Sequence, residues 1–135
     1  MRYLLLIAAG LLWAAGSLRI DADDVAKDAP PAKDGAPLYH VVSLKFKEGT
    51  TPDQIKAVEQ AFAALKAKVP GITSLHWGTN VSPEKHDKGF THCFVLTFPG
   101  AKERDVYLVH DAHKAFVALA GPHIADVLVL DFEPR

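Results

Sequence analysis

From Leu38 onward the chain switches between two hydrophobic periods in a set order, and that order restricts the fold more than any bulk property. Leu38-Tyr-His-Val-Val-Ser-Leu-Lys-Phe46 has the two-residue period of a strand, with His40, Val42, Leu44 and Phe46 on one face. Glu48-Gly49 ends it. Thr51-Pro52-Asp53-Gln54 has the chemistry of a helix start: a threonine N-cap, proline at the first helical position and glutamine placed for a capping box. Ile55, Val58, Phe62, Leu65 and Val69 then recur at helical spacing, and Pro70-Gly71 stops the helix. A second strand is predicted over 72–81 and a polar loop over 82–89. A third strand, 90–98, carries His92, Phe94, Leu96 and Phe98 on one face. After Pro99-Gly100 a second helical region is predicted over 102–120, and after Gly121-Pro122 a final strand over 123–133.

The order β-α-β-β-α-β is the split βαβ, or ferredoxin-like, arrangement of the α+β class: a four-stranded antiparallel sheet with its helices on one face. Several strands are apolar on both sides, so the face opposite the helices is apolar too. Monomers rarely expose such a patch. Two sheets packed face to face across a two-fold axis form a dimeric α/β barrel, so the expected state is a homodimer.

Residues 1–16 have the layout of a secretory signal peptide: a short basic start, a run from Leu4 to Ala15 that is apolar apart from Gly10, and small residues Ala14-Ala15-Gly16 before Ser17. The run is short of the ~20 apolar residues that span a bilayer, so the expectation is export with cleavage and no membrane contact afterwards. The alternative is anchoring by an uncleaved segment. Residues 17–37, with three prolines, five aspartates and almost no large apolar side chain, read as a disordered linker. Residues 38–135 form the domain. A formal net charge of −1 gives no electrostatic footprint for nucleic acid. Cys93, the single cysteine, excludes an intramolecular disulfide and a thiolate metal cluster; on its strand it is expected to be a small buried residue.

Four segments together resemble one family. His40-Val-Val-Ser-Leu-Lys-Phe-Lys47 is similar to the first-strand signature of stress-responsive dimeric α/β-barrel (Dabb) proteins. Pro70-Gly71-Ile72 with His76-Trp77-Gly78 resembles their turn and second strand, and Gly89-Phe90-Thr91-His92 with Leu96-Thr97-Phe98 their third. Tyr107-Leu-Val-His110-Asp111-Ala-His113 is close to the family's Tyr-x-x-His-Pro-x-His run, with Asp111 in place of the proline. The resemblance spans nearly all of 38–134.

Tyr107, His110 and His113 recur at spacings of three, so one helix would carry them along a common side. A histidine and a tyrosine converging on a cavity can transfer protons near neutral pH. The family includes a plant polyketide cyclase, and the resemblance implies that His113 is a general base and Tyr107 its hydrogen-bonding partner. His40 would line the same pocket, and Phe62 stands where the cyclase has a second tyrosine. Phe62, Trp77 and His110 complete the expected ligand contacts. His92 is expected to be a satisfied core or interface histidine. The histidines form no recognisable metal motif, and no cofactor signature is present. The reading is therefore a barrel that binds a small apolar or aromatic ligand. Its alternatives are a cofactor-independent acid–base enzyme (cyclase or lyase) and a non-catalytic dimerisation scaffold.

Overall fold

The computed structural model describes residues 35–135. The predicted signal segment, 1–16, and linker residues 17–34 lie outside them. Four strands, β1 (Leu38–Phe46), β2 (Ser74–Thr79), β3 (His92–Phe98) and β4 (Ile124–Phe132), form one sheet in the order β2-β3-β1-β4. Every pairing in it is antiparallel. Helices α1 (Pro52–Ala63), α2 (Leu65–Lys68), α3 (Ala101–Val109) and α4 (Asp111–Ala120) complete the fold, with a 3-10 turn at Gly121–His123 leading into β4. No described helix is long and apolar enough to cross a membrane.

Local chemistry accounts for the element ends. Thr51 caps α1 with the complete capping box: its hydroxyl accepts the Gln54 N–H, and the Gln54 side chain accepts the Thr51 N–H at 2.9 Å. Gly49 turns the chain between β1 and α1 at φ +82, a conformation that costs glycine little. Period-2 alternation decides the two faces of the sheet. Leu38, Val42, Leu44, Phe94, Leu96 and Phe98 are buried beneath the helices. Val58, Phe62, Leu65, Val69, Tyr107 and Phe116 meet them from the other layer.

The opposite face carries Tyr39 and Val41 from β1 and Leu128, Leu130 and Phe132 from β4. Tyr39 and Phe132 stack with centroids 5.0 Å apart. Leu128, Leu130 and Phe132 are 45, 56 and 51% exposed, so this open face is apolar and uncovered by the chain's own helices. Cys93 lies on it and is exposed, which corrects the expectation of burial: one residue from Phe94, the pleat turns its thiol away from the core.

The second helical region also differs from expectation. It is not continuous over 102–120 but divides at His110, whose backbone is extended (φ −68, ψ 141). The imidazole performs the cap: His110 Nδ1 accepts the Ala112 N–H at 3.1 Å. Asp111 sits in the first turn of α4, where a carboxylate favours the helix dipole. The chain thus breaks the helix at the family's proline position without a proline.

Candidate functional site

The break at His110 brings two groups together that a straight helix would have spread along its side. Tyr107 ends the buried face of α3, His113 opens α4, and their ring centroids lie 4.4 Å apart. In a continuous helix the Leu108 carbonyl would accept the Ala112 N–H. Here His110 holds that N–H, and the Leu108 carbonyl accepts the His113 Nδ1–H at 3.1 Å. His113 therefore carries its proton on Nδ1, leaving the Nε2 lone pair available.

From the sheet side, His40 meets the Tyr107 ring edge-on at 5.7 Å. His40 is almost fully buried, and its Nδ1–H donates to Asp131 Oδ1 at 2.6 Å, across the β1–β4 pairing that sets the two residues opposite each other. The second carboxylate oxygen accepts from Arg104 Nη1, reaching over from α3, and Arg104 Nε donates to Asp105 at 2.8 Å. Asp131 thus spans a histidine and a guanidinium and fixes the His40 ring.

His40, Tyr107 and His113 border a cavity of about 400 Å³ between β1, β4 and α4. Its walls are mostly carbon: Val42, Leu44, Phe62, Phe116, Val117 and Val129 among others. His40, Tyr107 and His113 supply most of its polar atoms. The Tyr107 hydroxyl and the Nε2 atoms of both histidines make no hydrogen bond among the described residues, and none of them is sealed away. Burial raises the Tyr107 phenol above its ordinary value, so it stays protonated as a donor. Burial likewise pushes His113 below its ordinary value; the Leu108 carbonyl opposes this, and the neighbouring His40 adds to the lowering. His113 is thus a neutral base near pH 7. The folded protein binds that proton less readily than the unfolded chain, so His113's contribution to stability declines as pH falls from 6.5 through the lowered value. An NMR titration should find the His113 ring protons moving with a midpoint below 6.5. A midpoint at or above it would contradict the burial argument.

Not every expected contact reaches the cavity. The cavity itself lies on the helix side of the sheet, whereas a barrel would enclose the open face. Phe62 is part of its wall, stacked on Phe94 at 3.8 Å. Trp77 is not; it stacks on Phe94 at 5.4 Å, half-exposed towards the β2 edge. His110 acts as the cap of α4 rather than as part of the wall. His92 is satisfied as expected, with Nε2 2.9 Å from Glu59 and Nδ1 2.8 Å from the Thr91 hydroxyl. Sequence reasoning missed Asp131 and Arg104. A carboxylate interrupting the apolar run of β4 was the available signal, and it gains meaning only once His40 is known to sit opposite. Among the described residues no group of three or more His, Cys, Asp or Glu side chains is arranged to hold a metal ion.

Comparison with known proteins places this geometry. The model of the "Stress responsive A/B Barrel Domain" matches residues 38–134. A stress-response A/B barrel domain-containing protein, HS1 of Arabidopsis thaliana, is 33% identical over 98 residues, covering 73% of this chain and 90% of that one. Olivetolic acid cyclase of Cannabis sativa is 27% identical over 98 residues, covering 73% and 97%. Among solved structures, the hydroxynitrile lyase of Passiflora edulis shares the fold at 21% identity with a TM-score of 0.70, over 75% of this chain and 95% of that one. A dimeric ferredoxin-like protein of unknown function from Jannaschia matches with a TM-score of 0.64 at 25% identity, over 73% and 99%.

Proposed function

The chain belongs to the stress responsive A/B barrel (Dabb) family, and from that premise we propose that it is a homodimer holding a small apolar or aromatic ligand in the helix-side cavity. One observation carries the reading: three polar atoms without hydrogen-bond partners among the described residues, the Tyr107 hydroxyl and the Nε2 atoms of His40 and His113, belong to residues that line one cavity walled mainly by carbon. A few placed polar groups in an apolar concavity of this size are what small-molecule sites consist of. The homodimer is supported by the apolar open face and by the dimeric Jannaschia relative. Export is included on the strength of residues 1–16, with 17–37 joining that segment to the domain.

A second reading, acid–base catalysis without a cofactor, is favoured by the Tyr107–His113 contact and by the likeness to a cyclase. In it His113 Nε2 removes a proton beside a carbonyl, and the Tyr107 hydroxyl donates a hydrogen bond to the oxyanion that forms. His40, oriented by Asp131, stands next to them along the wall.

Native mass spectrometry of the full-length protein purified from its original host tests the first reading. The expected result is a dimer carrying a co-purified small molecule. An empty dimer whose cavity also refuses added p-cresol would overturn it in favour of a scaffold, and a monomer would remove the barrel. Once the co-purified molecule is identified, His113→Ala separates binder from enzyme. Loss of a general base costs turnover about 10²–10⁴-fold, whereas a binder loses affinity and shows no turnover at all.

A further inference from the structure

The cavity is unfinished along one flank. Leu108 and Val117 from the helices and Val127 and Val129 from β4 all line it, yet they are 41, 52, 47 and 48% exposed. This open rim follows β4, an edge of the sheet. Sheet edges are commonly blunted by lysine, proline or a bulge, and Val127 to Leu130 has none of these. The other edge strand, β2, shows a matching deficiency. Trp77 pairs with Phe94, Phe94 with Val42 and Val42 with Val129, so Trp77 and Val129 stand on the same side of the sheet at its opposite edges. The indole is 41% exposed. Packing the two open faces against each other would cover neither edge and would leave both apolar patches in water.

Strand direction and charge say how the edges can meet. β1 and β2 run one way, β3 and β4 the other. Two such sheets related by a two-fold axis along the strands close into a ring in which β4 of each copy lies antiparallel to β2 of the other. Joining β4 to β4 instead would set Asp126 and Asp131 of both copies along one seam, whereas β2, Ser74–Thr79, carries no carboxylate. Leu128, Leu130 and Phe132, on the open face assigned to the dimer, alternate with Val127 and Val129, so one strand carries both contacts.

We propose that in the homodimer β4 of one copy pairs with β2 of the other, and that the partner's Trp77 covers Val127 and Val129 and completes the outer wall of the cavity. This rests on the homodimer of the proposed function and makes each ligand site the product of two chains. The added wall is an aromatic face, which suits a planar apolar ligand.

Dimers mixed from isotopically labelled and unlabelled full-length protein test the pairing without any substitution. Isotope-filtered NOE spectra should show the Val127 and Val129 methyls of the labelled copy in contact with the Trp77 ring of the unlabelled one. A dimer without those cross-peaks would overturn the inference and leave the homodimer standing; a monomer in sedimentation velocity would remove both. Complementation then tests the shared site. Trp77→Ala and His113→Ala should each weaken p-cresol roughly tenfold in calorimetry. Mixed and re-equilibrated, the two variants should regain full affinity in about a quarter of the cavities, because a heterodimer unites an intact His113 with an intact Trp77 from its partner. Recovery of no tight site, or Trp77→Ala binding as tightly as the unaltered protein, would mean that the indole is no part of the partner's cavity. If the unaltered dimer itself refuses p-cresol, the ligand reading falls and the shared site with it, while the NOE contacts still decide how the two copies pair.

Discussion

Leu130→Glu is expected to convert the proposed dimer to a monomer at micromolar concentration. Leu130 lies on the open face in the edge strand β4, opposite Val41 in the β1–β4 register and 56% exposed in the single chain. In a two-fold assembly one substitution introduces two charges, each leaving water for an apolar contact. Unpaired buried charge costs about 3–5 kcal/mol, so two copies should weaken the dimer more than a thousandfold. Sedimentation velocity would show it directly, and the single chain should keep its far-ultraviolet circular dichroism. A Leu130→Glu protein that still sediments as a dimer would place the interface elsewhere.

Phe62→Ala should produce the largest loss of stability from one core change, about 3–5 kcal/mol. The ring is 1% exposed, stacked on Phe94 at 3.8 Å and met edge-on by Phe116 at 4.7 Å. It joins α1, the sheet and α4 at one point. Because it also walls the cavity, its removal enlarges a space that is already open, and the neighbours have little means of closing it. Urea unfolding at fixed protein concentration would measure the loss. Phe62→Leu, which keeps most of the volume, should lose far less. A loss below about 1 kcal/mol for the alanine variant would mean that the aromatic stack adds little to the core.

The strands were readable because alternation is a local property. His40, Val42 and Leu44 could be given a face from β1 alone, and the apolar far side of the sheet followed from the same rule applied to β4. The capping box at Thr51 was equally local, since both partners lie within four residues. What could not be read depended on pairing or on competition. Asp131 becomes part of the site through its position opposite His40, 91 residues away in sequence, and Arg104 through a contact spanning 27. Trp77 was expected in the pocket because a strand pattern gives a face but not which neighbour covers it; Phe94 and Phe62 stand between it and the cavity. The helix break was missed for a different reason. The residues around 102–120 suit a helix throughout, and the capping ability of an imidazole at His110 had to outcompete one more turn. Tyr107 and His113 were therefore named correctly as neighbours, but on the geometry of a straight helix.

The same break makes the chemical character of the cavity depend on a residue outside it. By holding the Ala112 N–H, His110 releases the Leu108 carbonyl, and that carbonyl decides which nitrogen of His113 carries hydrogen. Were α3 and α4 fused, the carbonyl would return to the helical ladder and Nδ1 would lose its acceptor. The imidazole could then settle in its other tautomer and present a donor where a lone pair had been. Divergent sequences could thus invert the polarity of this pocket, from proton-accepting to proton-donating, while every side chain lining it stayed the same.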